Sequence, residues 1–297
     1  MNTTTSPASV AGTLSRPRGA LISRQHLHKL FVYGLLLVGS IVFIMPFLWM
    51  VSTSLKPSNQ VFTYPPSFLP SSFQWQNYPQ GWTTLPFTTF LKNSLIVTGA
   101  NVLGNLLSCS LVAFGFARLR ARGRDLLFLL VLATMMIPYE VTMVPRFILF
   151  KELGWVNSLR PLIAPAWFGW PFFIFLLRQF FMSIPHELDE AAHMDGASNL
   201  RVFWNIILPL SKPALGTVAI FAFIGNWNNF LDPLVYLRSQ DLFTIALGLN
   251  LFRGEYVTVV NQLMAVSILA LLPILVIFFF AQKIFVQGIT LSGMGGR

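Results

Sequence analysis

A chain of 297 residues that is 55% hydrophobic and only 10% charged, with a mean hydropathy of +0.66, lies far from a soluble domain, in which about 25% of residues are charged. Its net charge of +10 does not indicate a nucleic-acid binder, because the basic residues fall in short blocks beside apolar runs, where they act as topology signals. The single cysteine, Cys109, excludes an intrachain disulfide.

Residues 1–29 are rich in Ser, Thr and Pro, carry Arg16, Arg18, Arg24 and Lys29, and contain no acid. They read as a disordered, retained tail. The apolar run that follows, Leu30 to Val51, is too long for the core of a signal peptide and lacks a small-residue cleavage site. Apolar runs then predict an all-α polytopic membrane protein with six spans, near 30–51, 92–116, 125–146, 161–182, 209–227 and 263–286, each able to cross a hydrocarbon core about 30 Å thick. The membrane domain is expected over 30–286 and a short C-terminal tail over 287–297.

Thirteen of the 20 Lys and Arg residues fall on the side that holds the N-terminal tail, the 117–124 loop, the loop after the fourth span and the C-terminus. That excess marks the side as cytoplasmic, with both termini there. The opposite side holds two long connections. The first, about 52–91, is rich in Pro and aromatics and shows no obvious secondary structure. The second, about 228–262, carries Arg253, Glu255 and Tyr256. Either one suits an external soluble partner; packing on the rim of the bundle accounts for the first equally well.

Within the second span Ala100, Gly104 and Ser108 recur every four residues, a pattern that lets helices approach closely. Asn101 and Asn105 lie beside them on nearly the same face. Lipid-facing asparagines are costly, so this face points inward, whether to pack or to line a solute path. Asn226, Trp227, Asn228 and Asn229, near the outer end of the fifth span, combine amide donors with an aromatic plane. That chemistry suits sugar hydroxyls and ring faces, and equally interfacial anchors and caps. Glu140, between Pro138 and Pro145, reads as a solvated acid near the external end of the third span.

The loop at about 184–205 is not a membrane segment. Ser183 is placed to cap a helix, with Pro185 at an early helical position. Glu187, Asp189 and Glu190 then complement the helix dipole. Gly196 releases the chain from helical geometry, and Ser198 caps a second helix. There Leu200, Phe203, Trp204 and Ile207 form one apolar stripe. One arm therefore packs on the bundle and the other projects. His186, Glu190 and His193 share a helical face but lack a metalloprotease H-E-x-x-H spacing, and no metal site is expected.

The same loop carries Glu190-Ala191-Ala192, three residues, Gly196, nine residues, Ile206, one residue, then Leu208-Pro209. All seven fixed positions match the "EAA" loop of permease subunits from binding-protein-dependent ATP-driven importers. The segments 135–158, 183–198, 225–237 and 285–297 further resemble the maltose-type carbohydrate permeases, specifically the shorter six-span subunit. The resemblance implies a second homologous permease, two ABC ATPase subunits gripping the loop, an extracytoplasmic sugar-binding protein, and alternating access in the inner membrane. It also implies that Gly288–Arg297 reaches the ATPases. No cofactor is implied for this chain; ATP and Mg belong to the ATPase partner.

The residues agree that power comes from elsewhere. There is no G-x-x-x-x-G-K-[ST] phosphate loop, and Gly-Lys does not occur. The array of buried carboxylates and cations of an ion-coupled pump is not evident either. The chain is therefore read as no enzyme. An ion-coupled carrier, an importer of a non-sugar solute such as a polyol phosphate, and an intramembrane enzyme are the alternatives.

Overall fold

The structure is a computed structural model that describes residues 24–252 and 259–293, with side chains over 28–252 and 259–282. Most of the expected N-terminal tail, the trio Arg253, Glu255 and Tyr256, and the side chains of the C-terminal tail lie outside it. Every regular element among the described residues is helical. The chain divides into two units at Trp49–Met50.

The first unit contains most of α1 (Arg24–Ser54), whose 31 residues rise about 46 Å at ~1.5 Å per residue. Leu35, Leu36, Val38, Val42 and Phe43 are all exposed. A helix apolar on every side suits lipid.

The second unit is built from α2 (Asn77–Thr84), α3 (Phe87–Arg118), α4 (Arg124–Ala133), α5 (Tyr139–Glu152), α6 (Arg160–Ile163), α7 (Pro171–Ser183), α8 (Glu187–Met194), α9 (Asn199–Val202), α10 (Leu208–Leu210), α11 (Lys212–Trp227), α12 (Leu231–Tyr236), α13 (Ile245–Leu251) and α14 (Val260–Gly293). Its axis is α3. Toward its C-terminus Cys109, Ala113, Phe114 and Ala117 pack with Leu177 and Phe181 of α7, Val202, Phe203 and Ile207, and Val218 of α11. Toward its N-terminus Phe87 and Phe90 pack with Trp227, Ile245, Phe252 and Val266. A third cluster joins Val97 to Phe150, Leu162 and Tyr236.

Four helical stretches are long and apolar enough to cross a membrane, and two more candidates are sharply bent. The third span is one of these, and the expectation of a continuous crossing over 125–146 is corrected. It turns by 98° between Arg124–Met136 and Tyr139–Glu152. Pro138 lacks an amide hydrogen and pushes Ile137 into extended geometry (ψ 116°). At the fifth span, Asn199–Leu210 meets α11 at 78°, so the expected crossing over 209–227 is bent near its start. The last helix continues to Gly293, past the expected boundary at 286.

The long connection near 52–91 is folded rather than loose. α2 lies within it, and its ends are tied by a buried amide network. Asn77 Nδ2 donates to the carbonyls of Ser54 (2.8 Å) and Lys56 (3.0 Å). Asn261 Nδ2, at the start of α14, donates to the Lys56 carbonyl at 3.0 Å and to Asn77 Oδ1 at 3.2 Å. The Lys56 ammonium donates to Ser67 O at 2.6 Å, and burial pushes its pKa below the usual lysine range.

Candidate functional site

The fourth span supplies the first site because it is not one helix. After α6 comes a 3₁₀ segment, Ala164–Phe168, then an unwound joint in which Gly169 takes φ +91° and Trp170 is extended. Irregular backbone at membrane depth is tolerated where it is buried or lines a cavity. Here α3 covers part of it. Ser108 Oγ donates to Ala166 O at 3.0 Å, Asn101 Nδ2 to Leu162 O at 2.9 Å, and the Trp170 amide donates to Cys109 Sγ at 3.2 Å. Gly104 gives the joint its space: a Cβ there would lie 2.9 Å from Trp167 Cδ1.

Beside this joint is a cavity of about 420 Å³, within the ~300–1,000 Å³ of small-molecule sites. Four of the six asparagine and tryptophan candidates line it: Asn101, Asn105, Asn226 and Asn229. Asn101 Nδ2 also donates to Asn226 Oδ1 at 2.6 Å, tying α3 to α11. Asn101 is 1% exposed, and its Oδ1 is buried without a hydrogen-bond partner. Trp227 and Asn228 lie elsewhere. Trp227 is buried in the second cluster, donating to Ala270 O at 3.1 Å; exposed Asn228, just past the end of α11, donates back to Ile224 O at 2.9 Å. α11 ends at Trp227, so Asn228 and Asn229 are set by the turn that leads into α12 rather than by a helical face.

The sequence did not single out Tyr139, Arg146, Trp170 or Asp232, which complete the wall. Tyr139 hydrogen-bonds Asp232, Asn229 Nδ2 donates to Asp232 Oδ2 at 2.7 Å, and the Arg146 guanidinium lies 5.4 Å from the centre of the Tyr139 ring. One cation and one carboxylate therefore stand among neutral amides and rings. Gly169-Trp170-Pro171, in the middle of an apolar run, was the available signal. Glu140 is exposed in the first turn of α5.

The second site is the helical hairpin after α7. α8 presents Glu190 and Ala191 to solvent while Ala192 is half-buried against the first cluster. Gly196 has φ +79°, the left-handed geometry expected of it. Ser198 caps α9, accepting from the Arg201 amide at 3.4 Å. The expected cap at Ser183 is not formed. Ser183 ends α7, its hydroxyl donating to Phe180 O at 2.7 Å, and α8 starts only at Glu187.

The expected apolar stripe is also revised. Phe203 and Ile207 are buried, as is Val202, but Leu200 and Trp204 are 63% and 52% exposed. Phe203–Ile207 form a π-helical turn, and the wider turn shifts the phase of the face that meets the bundle. Of the remaining fixed positions, Ile206 and Leu208 are half-buried and Pro209 is exposed.

A helical membrane bundle with a broken-span cavity and a projecting hairpin has the form of a transporter subunit. The chain belongs to the family of binding-protein-dependent transport system inner membrane components, whose model matches residues 104–291. It is 35% identical over 256 residues to the arabinooligosaccharides transport system permease protein AraQ of Halalkalibacterium halodurans, covering 85% of this chain and 91% of that one. It is 33% identical over 269 residues to the sn-glycerol-3-phosphate transport system permease protein UgpE of Yersinia pestis, covering 88% and 95%. A chain of a bacterial ABC transporter that imports the acidic polysaccharide alginate has the same fold, with a TM-score of 0.76 at 23% identity over 88% of this chain and 98% of that one.

Proposed function

We propose that this chain is one of two homologous permeases of an ATP-driven sugar importer, and that the 420 Å³ cavity is its part of the sugar path. The observation that carries the reading is the set of four asparagines, Asn101, Asn105, Asn226 and Asn229, gathered on one cavity wall beside Trp170. Amide side chains offer both donors and acceptors, the pairing that sugar hydroxyls require. Neutral amides and the Trp170 ring favour a polyhydroxylated solute over a phosphate ester. The one cation, Arg146, stands opposite a carboxylate rather than alone. A phosphate-carrying relative keeps the alternative concrete, and uptake in cells decides it. Competition by arabino-oligosaccharides but not by glycerol 3-phosphate supports the sugar reading; the reverse refutes it.

The hairpin 187–210 is the ATPase-docking element, with Glu190, Ala191, Ala192, Gly196, Ile206, Leu208 and Pro209 as its determinants. It faces the cytoplasm together with both termini, and an external binding protein delivers the solute at the opposite end. Energy comes from two separate ATPase subunits, which bind the ATP and Mg. In mild detergent the chain copurifies with a second permease and a Walker-motif ATPase. Glu190→Lys or Gly196→Pro removes the ATPase from that complex or abolishes its stimulation by the loaded binding protein. Recovery of the chain alone would overturn the importer reading.

A further inference from the structure

The last residue of α3, Arg118, is a buried cation that no transport motif requires. Its side chain is 2% exposed, and its guanidinium joins three elements. Nη1 stands 3.1 Å from Asp189 Oδ2 in α8 and 2.9 Å from His186 Nδ1 at the α8 entry. Nη2 donates to Phe181 O at 2.6 Å and to Ile184 O at 2.7 Å, where α7 ends. The carbonyls of a helix's last turn have no partner within it, so the fork closes α7 and grips α8 together. Arg can make this set of bonds through its planar fork; Lys cannot.

Placement turns this cluster from a cap into a lever. A cavity of about 630 Å³ opens between the end of α3 and α8, with Phe114 and Ala117 on one side and Glu190 and His193 on the other. Arg118 bridges it to Asp189. On the same α-helix, 13 and 17 residues earlier, stand Asn105 and Asn101 of the solute cavity, about 20 and 26 Å away at ~1.5 Å per residue. Between them, Ser108 and Cys109 hold the unwound joint of the fourth span. A displacement of α8 that keeps the Arg118–Asp189 pair intact must pull α3, and with it the cavity wall.

We propose that Arg118, paired with Asp189, is the positioning residue that transmits motion of the docking hairpin into α3 and so to the solute cavity. This rests on the reading of α8 as the ATPase-docking helix. Burial distinguishes it from docking itself, because Asp189 is buried whereas its neighbours Glu190 and Ala191 are exposed.

The test uses the whole complex in proteoliposomes, with the cognate binding protein purified together with its own ligand. Two quantities are read: ATPase copurifying per permease, and the ratio of ATP hydrolysis with and without the loaded binding protein. Arg118→Ala and Asp189→Asn are expected to hold wild-type amounts of ATPase while the ratio falls to within about twofold of unity; Arg118→Lys restores part of it. Wild-type ratios in both variants overturn the inference. So does a ratio that falls only in proportion to lost ATPase, which marks a purely structural residue. Asp189→Asn, an uncharged isostere, carries the test if Arg118→Ala fails to insert. Glu190→Lys and Gly196→Pro run alongside. If these leave both quantities unchanged, the docking reading itself falls; if they abolish them while Arg118→Ala and Asp189→Asn do not, only the lever falls.

Discussion

Two glycines offer a controlled comparison of how tightly this bundle is packed. A Cβ on Gly248 of α13 would lie 2.3 Å from Phe90 Cδ2 and 2.5 Å from Cε2. Carbon pairs rest at roughly 3.5–4.0 Å, so the two helices must part by about 1 Å. Phe90 has no free direction: it is 0% exposed, edge-on to Phe87 at 5.3 Å and tilted on Phe243 at 6.2 Å. Overpacking of this kind costs about 3 kcal/mol, the upper end of the usual range. The better helix propensity of Ala returns ~1 kcal/mol. Gly248→Ala is therefore expected to destabilise the bundle by about 2 kcal/mol, roughly a 30-fold change in the unfolding constant. At Gly104 the clash is milder, 2.9 Å to Trp167 Cδ1, and Trp167 is 47% exposed and free to swing. Its cost of ~1 kcal/mol is cancelled by the same propensity gain of ~1 kcal/mol. Denaturant titration of the purified chain in one detergent measures both variants. Equal destabilisation, or a larger loss at Gly104, would refute the claim that neighbour mobility decides the cost. A displaced Trp167 also moves the 164–168 wall, so Gly104→Ala should slow uptake without an equivalent loss of stability.

Asn101→Ala unties the cavity wall from Leu162 O and Asn226 Oδ1 and is expected to raise the half-saturating concentration for uptake about 5–10-fold, the worth of roughly one hydrogen bond; unchanged saturation would leave Asn101 with packing alone. Trp227→Phe is the counterpart outside the cavity. It loses the bond to Ala270 O, and a drop of about 1 kcal/mol in stability with unaltered saturation is expected. Asn261→Ala unties Lys56 and Asn77, so residues 57–76 should be cleaved by added protease several-fold faster in intact vesicles; an unchanged rate would show that α2 alone holds the connection.

How much of this was legible depended on range. Local chemistry read true: Gly196 takes its positive φ, Ser198 caps α9, and Gly104 and Ser108 meet another segment. Hydropathy counted the apolar segments but not their shape, since Pro138 can kink a helix or break it and only the surrounding packing selects the 98° turn. The π-helical turn at 203–207 defeated the stripe for a related reason. A period of 3.6 is assumed whenever a helical face is drawn, and one wide turn moves Leu200 and Trp204 out to solvent. In the run 226–229, composition identified the amides but not which of them share a face with Asn101. Asp232 and Arg118 escaped because their meaning lies in partners 63 to 93 residues away: Tyr139–Asp232, and Arg118 with Phe181 and Asp189.

The broken fourth span gives the α3 polar face a packing role, and on the reading proposed above the same face also borders the solute path. An unwound joint at membrane depth exposes backbone groups that lipid cannot satisfy. Asn101, Ser108 and Cys109 satisfy three of them, at Leu162, Ala166 and Trp170. Had α3 been apolar there, the fourth span would have to be a regular helix, and the backbone beside the cavity would be sealed within it. With polar side chains at that seam the break is stable. The cavity then acquires Trp170 and the 165–166 backbone as wall. Asn101 spends its two amide hydrogens on this support, on Leu162 O and Asn226 Oδ1. Its carbonyl oxygen is what remains. The same side chain thus holds the break and, as a residue of the cavity wall, stands beside the path proposed for the solute.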